Sequence, residues 1–76
     1  MPVLFTGSIR DNLDPFGEHS DAAVWGALRR AHLAPVVEAS PAGLAMVLFE
    51  GGAPLSAGQK QLAALARSLL KHSKVG

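Results

Sequence analysis

Cysteine is absent from these 76 residues, which excludes disulfide cross-links, thiol catalysis and cysteine-based metal sites, and is compatible with a reducing compartment. Long apolar runs are missing too. The longest, Leu44 to Phe49, falls far short of the roughly 18 residues that suggest a membrane span. Met1-Pro2-Val3-Leu4-Phe5 has no basic flank and too short an apolar stretch for a secretory leader. Charge of neither sign dominates: seven basic residues against six acidic ones leave +1, with no basic tract. Nothing therefore favours nucleic acid or an anionic membrane surface as a partner. Internal repeats and low-complexity tracts are also lacking. His19, His32 and His72 do not have metal-ligand spacing, and are expected to face solvent or cap helices. Glu18 and Asp21 belong to a polar loop leading into a helix rather than to a catalytic carboxylate pair.

What is present is a small, apolar-rich chain. A domain of this size buries only about 60% of the surface its unfolded chain exposes, so its stability on its own is marginal. Apolar residues make up 49% of the composition with little charge, which implies surfaces meant to be covered by something further.

Helix starts are written in the sequence by serine. Ser8 is placed to cap a brief turn through Asn12, with Asp11 at capping-box spacing. Asp14-Pro15-Phe16-Gly17 reads as a turn. Ser20 caps a second helix, with Asp21 in its first turn and Val24, Trp25, Leu28 and Ala31 forming an inward face through about His32. Gly26 weakens that helix by about 0.8–1 kcal/mol relative to alanine, so Trp25 and Leu28 should hold it by packing. Pro35 suits the first turn of a short helix through Ala39, ended by Ser40-Pro41-Ala42-Gly43. Ala45 to Phe49 is a possible strand whose partner would be Val3 to Phe5 or a part of the protein outside this chain. Gly51-Gly52-Ala53-Pro54 reads as a flexible lead into the next helix.

The most informative stretch is Pro54-Leu55-Ser56-Ala57-Gly58-Gln59-Lys60-Gln61-Leu62. Ser56 and Gln59 have the S-x-x-Q spacing of a capping box, so a helix begins at Ala57. Leu62, Leu65, Ala66 and Leu69 recur as an amphipathic stripe, with Lys60, Arg67 and Lys71 on the opposite, solvated face. Lys71, His72 and Lys74 favour the negative end of the helix dipole. At the other end the first amides lack internal partners, and Gly58 has no side chain to obstruct an approaching anion.

Leu55-Ser56-Ala57-Gly58-Gln59 resembles the L-S-x-G-Q signature of ATP-binding cassette (ABC) proteins. The flanks extend the likeness. Glu50-Gly51-Gly52 is similar to the E-G-G upstream of the signature in class C transporters, and Leu65-Ala66-Arg67-Ser68-Leu69-Leu70 to the L-A-R-A-L-L that follows it. Pro2-Val3-Leu4-Phe5-Thr6-Gly7-Ser8-Ile9-Arg10 with Asn12-Leu13-Asp14-Pro15-Phe16 resembles a stretch of the second cassette in multidrug-resistance-associated proteins. Ala57 stands where the commoner L-S-G-G-Q form has its first glycine.

The resemblance implies a mainly α fold: the helical subdomain and signature helix of a nucleotide-binding domain, with the parallel-sheet core largely missing. On this basis residues 1–76 form a partial domain, running from after the Q-loop glutamine to just before Walker B. No G-x-x-x-x-G-K-[ST] loop and no magnesium-binding strand is present, so the chain alone is not expected to hydrolyse ATP, and no catalytic or metal-binding residue is assigned. Leu55, Ser56, Ala57, Gly58 and Gln59 would instead contact ATP, with its magnesium, held by a second cassette. Ser56 would donate to the γ-phosphate, the Gly58 amide would point at the same group, and Gln59 would order the loop and reach toward the ribose side. Further partners implied are the coupling helices of transmembrane domains, met by Val3 to Phe16. The setting implied is the cytoplasmic face of a membrane, within an ATP-driven exporter. The alternative is a non-catalytic helical interaction or regulatory module, or an incomplete gene product.

Overall fold

In the computed structural model, which describes residues 4–72, serine opens three of the four helices found among those residues. Ser8 Oγ accepts from the Asp11 amide at 3.0 Å and starts α1, Ile9–Leu13. Ser20 Oγ accepts from the Ala23 amide at 3.1 Å and starts α2, Asp21–Arg30. Ser56 starts α4, Ala57–Lys71. The helix between them, α3, Ala34–Ala39, has no side-chain cap and uses Pro35 in its first turn instead, where a missing N–H costs nothing.

The second helix stops earlier than its apolar pattern suggests. Ala31 is its C-cap, and His32 adopts a left-handed φ of 64° while the Leu33 amide returns to the Leu28 carbonyl at 2.9 Å. That reversal satisfies a helix-end carbonyl and turns Leu33 into the core, where it is fully buried. His32 is exposed, and histidine is among the non-glycine residues enriched in this conformation.

Two short strands form the sheet seen among the described residues: β1, Gly7–Ser8, runs antiparallel to β2, Val47–Leu48, with Gly7 opposite Leu48 and Ser8 opposite Val47. The strand near Ala45 to Phe49 is therefore shorter than expected, and its ladder partner among the described residues is Gly7–Ser8. The Phe5 backbone is instead engaged by the Asn12 side chain, which accepts from its amide and donates to its carbonyl. Val3 and Lys74 lie outside the described residues.

Ile9 and Leu13 of α1, Val24 and Leu28 of α2, Val37 of α3 and Leu48 of β2 meet in one core, which α4 closes by packing on α1 and α2. The buried line of α4 is Ala63, Ala66 and Leu70, with Leu62 and Leu69 half-buried at its sides. Leu65, expected in the apolar stripe, is 45% exposed. The stripe is rotated because small alanine side chains allow the helix axes to approach closely, so the contact centres on them rather than on the bulkier leucines. Trp25 is half-buried against the same core, in line with its expected packing role on α2.

Candidate functional site

The junction before α4 is built from the loop upward. The Gly52 amide donates to the Phe49 carbonyl at 2.8 Å, the Phe49 amide to the Ala53 carbonyl at 2.8 Å, and the Leu55 amide to the Gly52 carbonyl at 3.0 Å. Phe49 to Gly52 make one tight turn, closed by that first bond, in which Gly51 and Gly52 are left-handed at φ of 76° and 88°, and the Ala53–Pro54 peptide is cis. The glycines that suggest a flexible lead instead supply the left-handed backbone that closes a hydrogen-bonded loop. Leu55, 5% exposed, pins the end of that loop into the core.

From there the chain leaves the core. Ser56, Ala57 and Gly58 are exposed, and Gln59 is half-buried. The capping box is complete: the Gln59 amide donates to Ser56 Oγ at 3.1 Å, and the Ser56 amide donates to Gln59 Oε1 at 2.9 Å. The Lys60 amide closes the first helical bond to the Ser56 carbonyl at 2.8 Å. Three consequences follow for ligand chemistry. Ser56 Oγ accepts within the box, which leaves its O–H free to donate. The amides of Ala57 and Gly58 have no intrahelical acceptor and carry the positive end of the dipole of a 15-residue helix. A Cβ placed on Gly58 would meet nothing within 4 Å, so the approach is open. Gln59 is engaged in ordering the cap.

The cationic face expected opposite the stripe is less uniform than its spacing suggests. Lys60 is half-buried and lays its stem over Gly52, whereas Arg67, also half-buried, and exposed Lys71 line a cleft at the other end of α4. That cleft, about 430 Å³, lies between the end of α4 and the turn after α1, with Leu13, Leu70 and Pro15 in its wall. Phe16 stands on its rim, 84% exposed.

The turn carrying Phe16 is held by charge. Arg10 donates from Nε to Asp21 Oδ1 at 2.6 Å, from NH1 to Asp14 Oδ2 at 3.1 Å, and from NH2 to the His19 carbonyl at 2.6 Å. Asp14, 4% exposed, accepts in addition from the Glu18 and His19 amides, each at 2.9 Å. Burial pushes the Asp14 carboxyl up, but those two amides, the guanidinium and the nearby His19 outweigh it and hold the group below its ordinary value. Hydrogen bonds to Asp21 and then to Asp14 raise Arg10 above its own.

Two features of this turn escape sequence reasoning. Asp14, Glu18 and His19 bring one potential ligand atom each within 4.8 Å of one another, a grouping that the spacing of the histidines alone conceals. Both Asp14 oxygens are engaged by amides and Arg10, so the group organises the turn. The other is Asp21, which is not simply a first-turn helix residue but an ion-pair partner of Arg10. His32 and His72 are exposed as expected, His72 as the C-cap of α4, while His19 is half-buried with its Nδ1 lacking a hydrogen-bond partner.

Comparison with known proteins adds a family context. Over 74 residues the chain is 51% identical to ATP-binding cassette sub-family C member 3 of Mus musculus, and 50% identical to the protein of the same name from Homo sapiens. It is 51% identical, again over 74 residues, to multidrug resistance protein mrp-7 of Caenorhabditis elegans. Each match covers 97% of this chain and 5% of the relative's own length. No family model matches.

Proposed function

The chain is a segment of ATP-binding cassette sub-family C type, and from that premise we propose that its role is to present a signature to ATP held by a second cassette of an ATP-driven exporter. Leu55, Ser56, Ala57, Gly58 and Gln59 carry this role. The observation that supports it best is the capped but exposed start of α4, where a free hydroxyl proton and two unpaired amides converge beside an unobstructed glycine. Those donors fit an anion. Leu55 to Gln59 contain no carboxylate of the kind magnesium prefers, and on this reading the cation that accompanies ATP belongs with the partner cassette.

In this role Leu55 anchors the turn, Gln59 holds the cap, and Ser56 and Gly58 face the γ-phosphate. ATP supplies the charge that draws the two cassettes together. The segment belongs to a second cassette, with residues 1–76 as part of its helical subdomain. The exposed Phe16 beside the cleft of Leu13 and Leu70 suits the docking of a coupling helix from the transmembrane domains. On this reading the segment sits at the cytoplasmic face of a membrane; no helix among its described residues is long and apolar enough to cross one.

The test is nucleotide-dependent cassette closure in a full-length sub-family C transporter whose own segment is replaced by this one. Ser56→Ala removes a hydrogen bond to a charged group, costing roughly 1.5–3 kcal/mol of closure, besides about 1 kcal/mol of helix capping. Gly58→Asp places a carboxylate against the phosphate and should be worse. Gln61→Ala, on the exposed side of α4, should close like the parent. Closure that survives Gly58→Asp unchanged would place the nucleotide elsewhere.

A further inference from the structure

We propose that Lys60 is a positioning residue for the signature turn, and that it acts through the hydrocarbon part of its side chain against Gly52 rather than through its charge. The proposal rests on the role assigned above to Ser56 and Gly58, and identifies what keeps them in place.

Gly52 is buried and left-handed, at φ 88°. A Cβ built on it would lie 2.8 Å from Leu4 Cδ1 and 3.2 and 3.3 Å from Lys60 Cγ and Cδ. The glycine is thus clasped between a core leucine and the methylene stem of a residue on the first turn of α4. Its carbonyl accepts the Leu55 amide at 3.0 Å, which ties it to the residue immediately before the N-cap. Lys60, for its part, donates its amide to the Ser56 carbonyl at 2.8 Å. The N-cap is therefore bracketed. One arm runs from Gly52 through Leu55, the other from Lys60 back along the helix, and the stem of Lys60 lying on Gly52 joins the two arms into a ring.

The charge has no comparable part. The Lys60 ammonium makes no ion pair with any described residue. Long cationic side chains commonly cover apolar surface with their stems while the head stays in water, and the half-burial of Lys60 fits that division. Shortening the stem opens the ring and lets the angle between the loop and α4 drift. A cap can persist through such a drift, because Ser56 and Gln59 move together. The direction in which Ser56 and Gly58 point cannot.

The experiment compares Lys60→Met, which keeps an unbranched stem and loses the charge, with Lys60→Ser, which loses both. Each is made in the full-length transporter carrying this segment. The ATP concentration for half-maximal closure and the maximal extent of closure are read separately, both normalised to the folded fraction. Lys60→Met should match the parent. Lys60→Ser should need roughly tenfold more ATP, the scale set by releasing two methylene groups from contact, with maximal closure unchanged. Equal impairment of the two variants would assign the effect to charge and overturn the proposal, as would a Lys60→Ser variant that behaves like the parent. Ser56→Ala and Gly58→Asp run alongside. If they impair closure while Lys60→Ser does not, the positioning role alone fails; if neither impairs it, the signature role falls and this one with it.

Discussion

Asn12 is the buried polar residue on which the start of the chain depends, and replacing it by alanine should cost more than its place on a five-residue helix suggests. Its side chain is fully buried. Oδ1 accepts from the Phe5 amide at 2.7 Å, while Nδ2 donates to the Phe5 carbonyl at 3.0 Å and the Ser8 carbonyl at 2.9 Å. Asn12→Ala removes all three bonds at about 1 kcal/mol each. Some of the stranded backbone groups regain water because Phe5 is 39% exposed, so the expected loss is about 2–4 kcal/mol. Against total stabilities of about 5–15 kcal/mol for ordinary domains, and less for a chain this short, that approaches unfolding. The assay is urea denaturation followed by helical circular dichroism at low protein concentration. Asn12→Asp sharpens it. An ionised carboxylate keeps the bond from the Phe5 amide but faces two carbonyl oxygens with no proton to give, so at neutral pH it should be at least as damaging as alanine. Mild acidification should then recover part of the loss, as the protonated acid regains one donor. An alanine variant within about 0.5 kcal/mol of the parent, the scale of an ordinary surface substitution, would refute the reasoning.

Two other outcomes are expected of the same chain. Because the folded Asp14 carboxyl lies below its ordinary value, the stability it contributes is fully present above the unfolded value, near 3.8, and is lost as pH falls through the folded one. Asp14→Asn should flatten urea midpoints across that acid range, and a slope equal to the parent's would contradict this account of the turn. The exposed Phe16, at 84%, and Phe49, at 58%, should drive concentration-dependent self-association; Phe16→Ser with Phe49→Ser should reduce it in sedimentation without loss of helix, and an unchanged association would discount these side chains as its cause.

The start of each capped helix was legible because the signal is local. A serine three residues ahead of an amide needs no distant partner, and so Ser8, Ser20 and Ser56 act where they stand in the sequence. The capping box at Ser56 and Gln59, the openness at Gly58 and the mainly helical class belong to the same kind of information.

What the tertiary structure decided are the pairings between residues far apart in the chain. Periodicity marks α4 as amphipathic, but only packing on α1 and α2 places Ala63 and Ala66 at the contact and leaves Leu65 outside. Composition marks Gly51 and Gly52 as loop residues, but only the closed backbone bonds and the Lys60 stem make that loop a fixed support. Asn12 and Arg10 belong to the stretch that carries the family likeness, but no capping or periodic signal marks their structural roles. Their importance arises because a folded chain brings the Phe5 backbone to one and Asp14, Asp21 and the His19 carbonyl to the other. Local hydrogen bonds and hydrophobic period are properties of neighbours in sequence, whereas the satisfaction of a buried polar group depends on what the fold places around it.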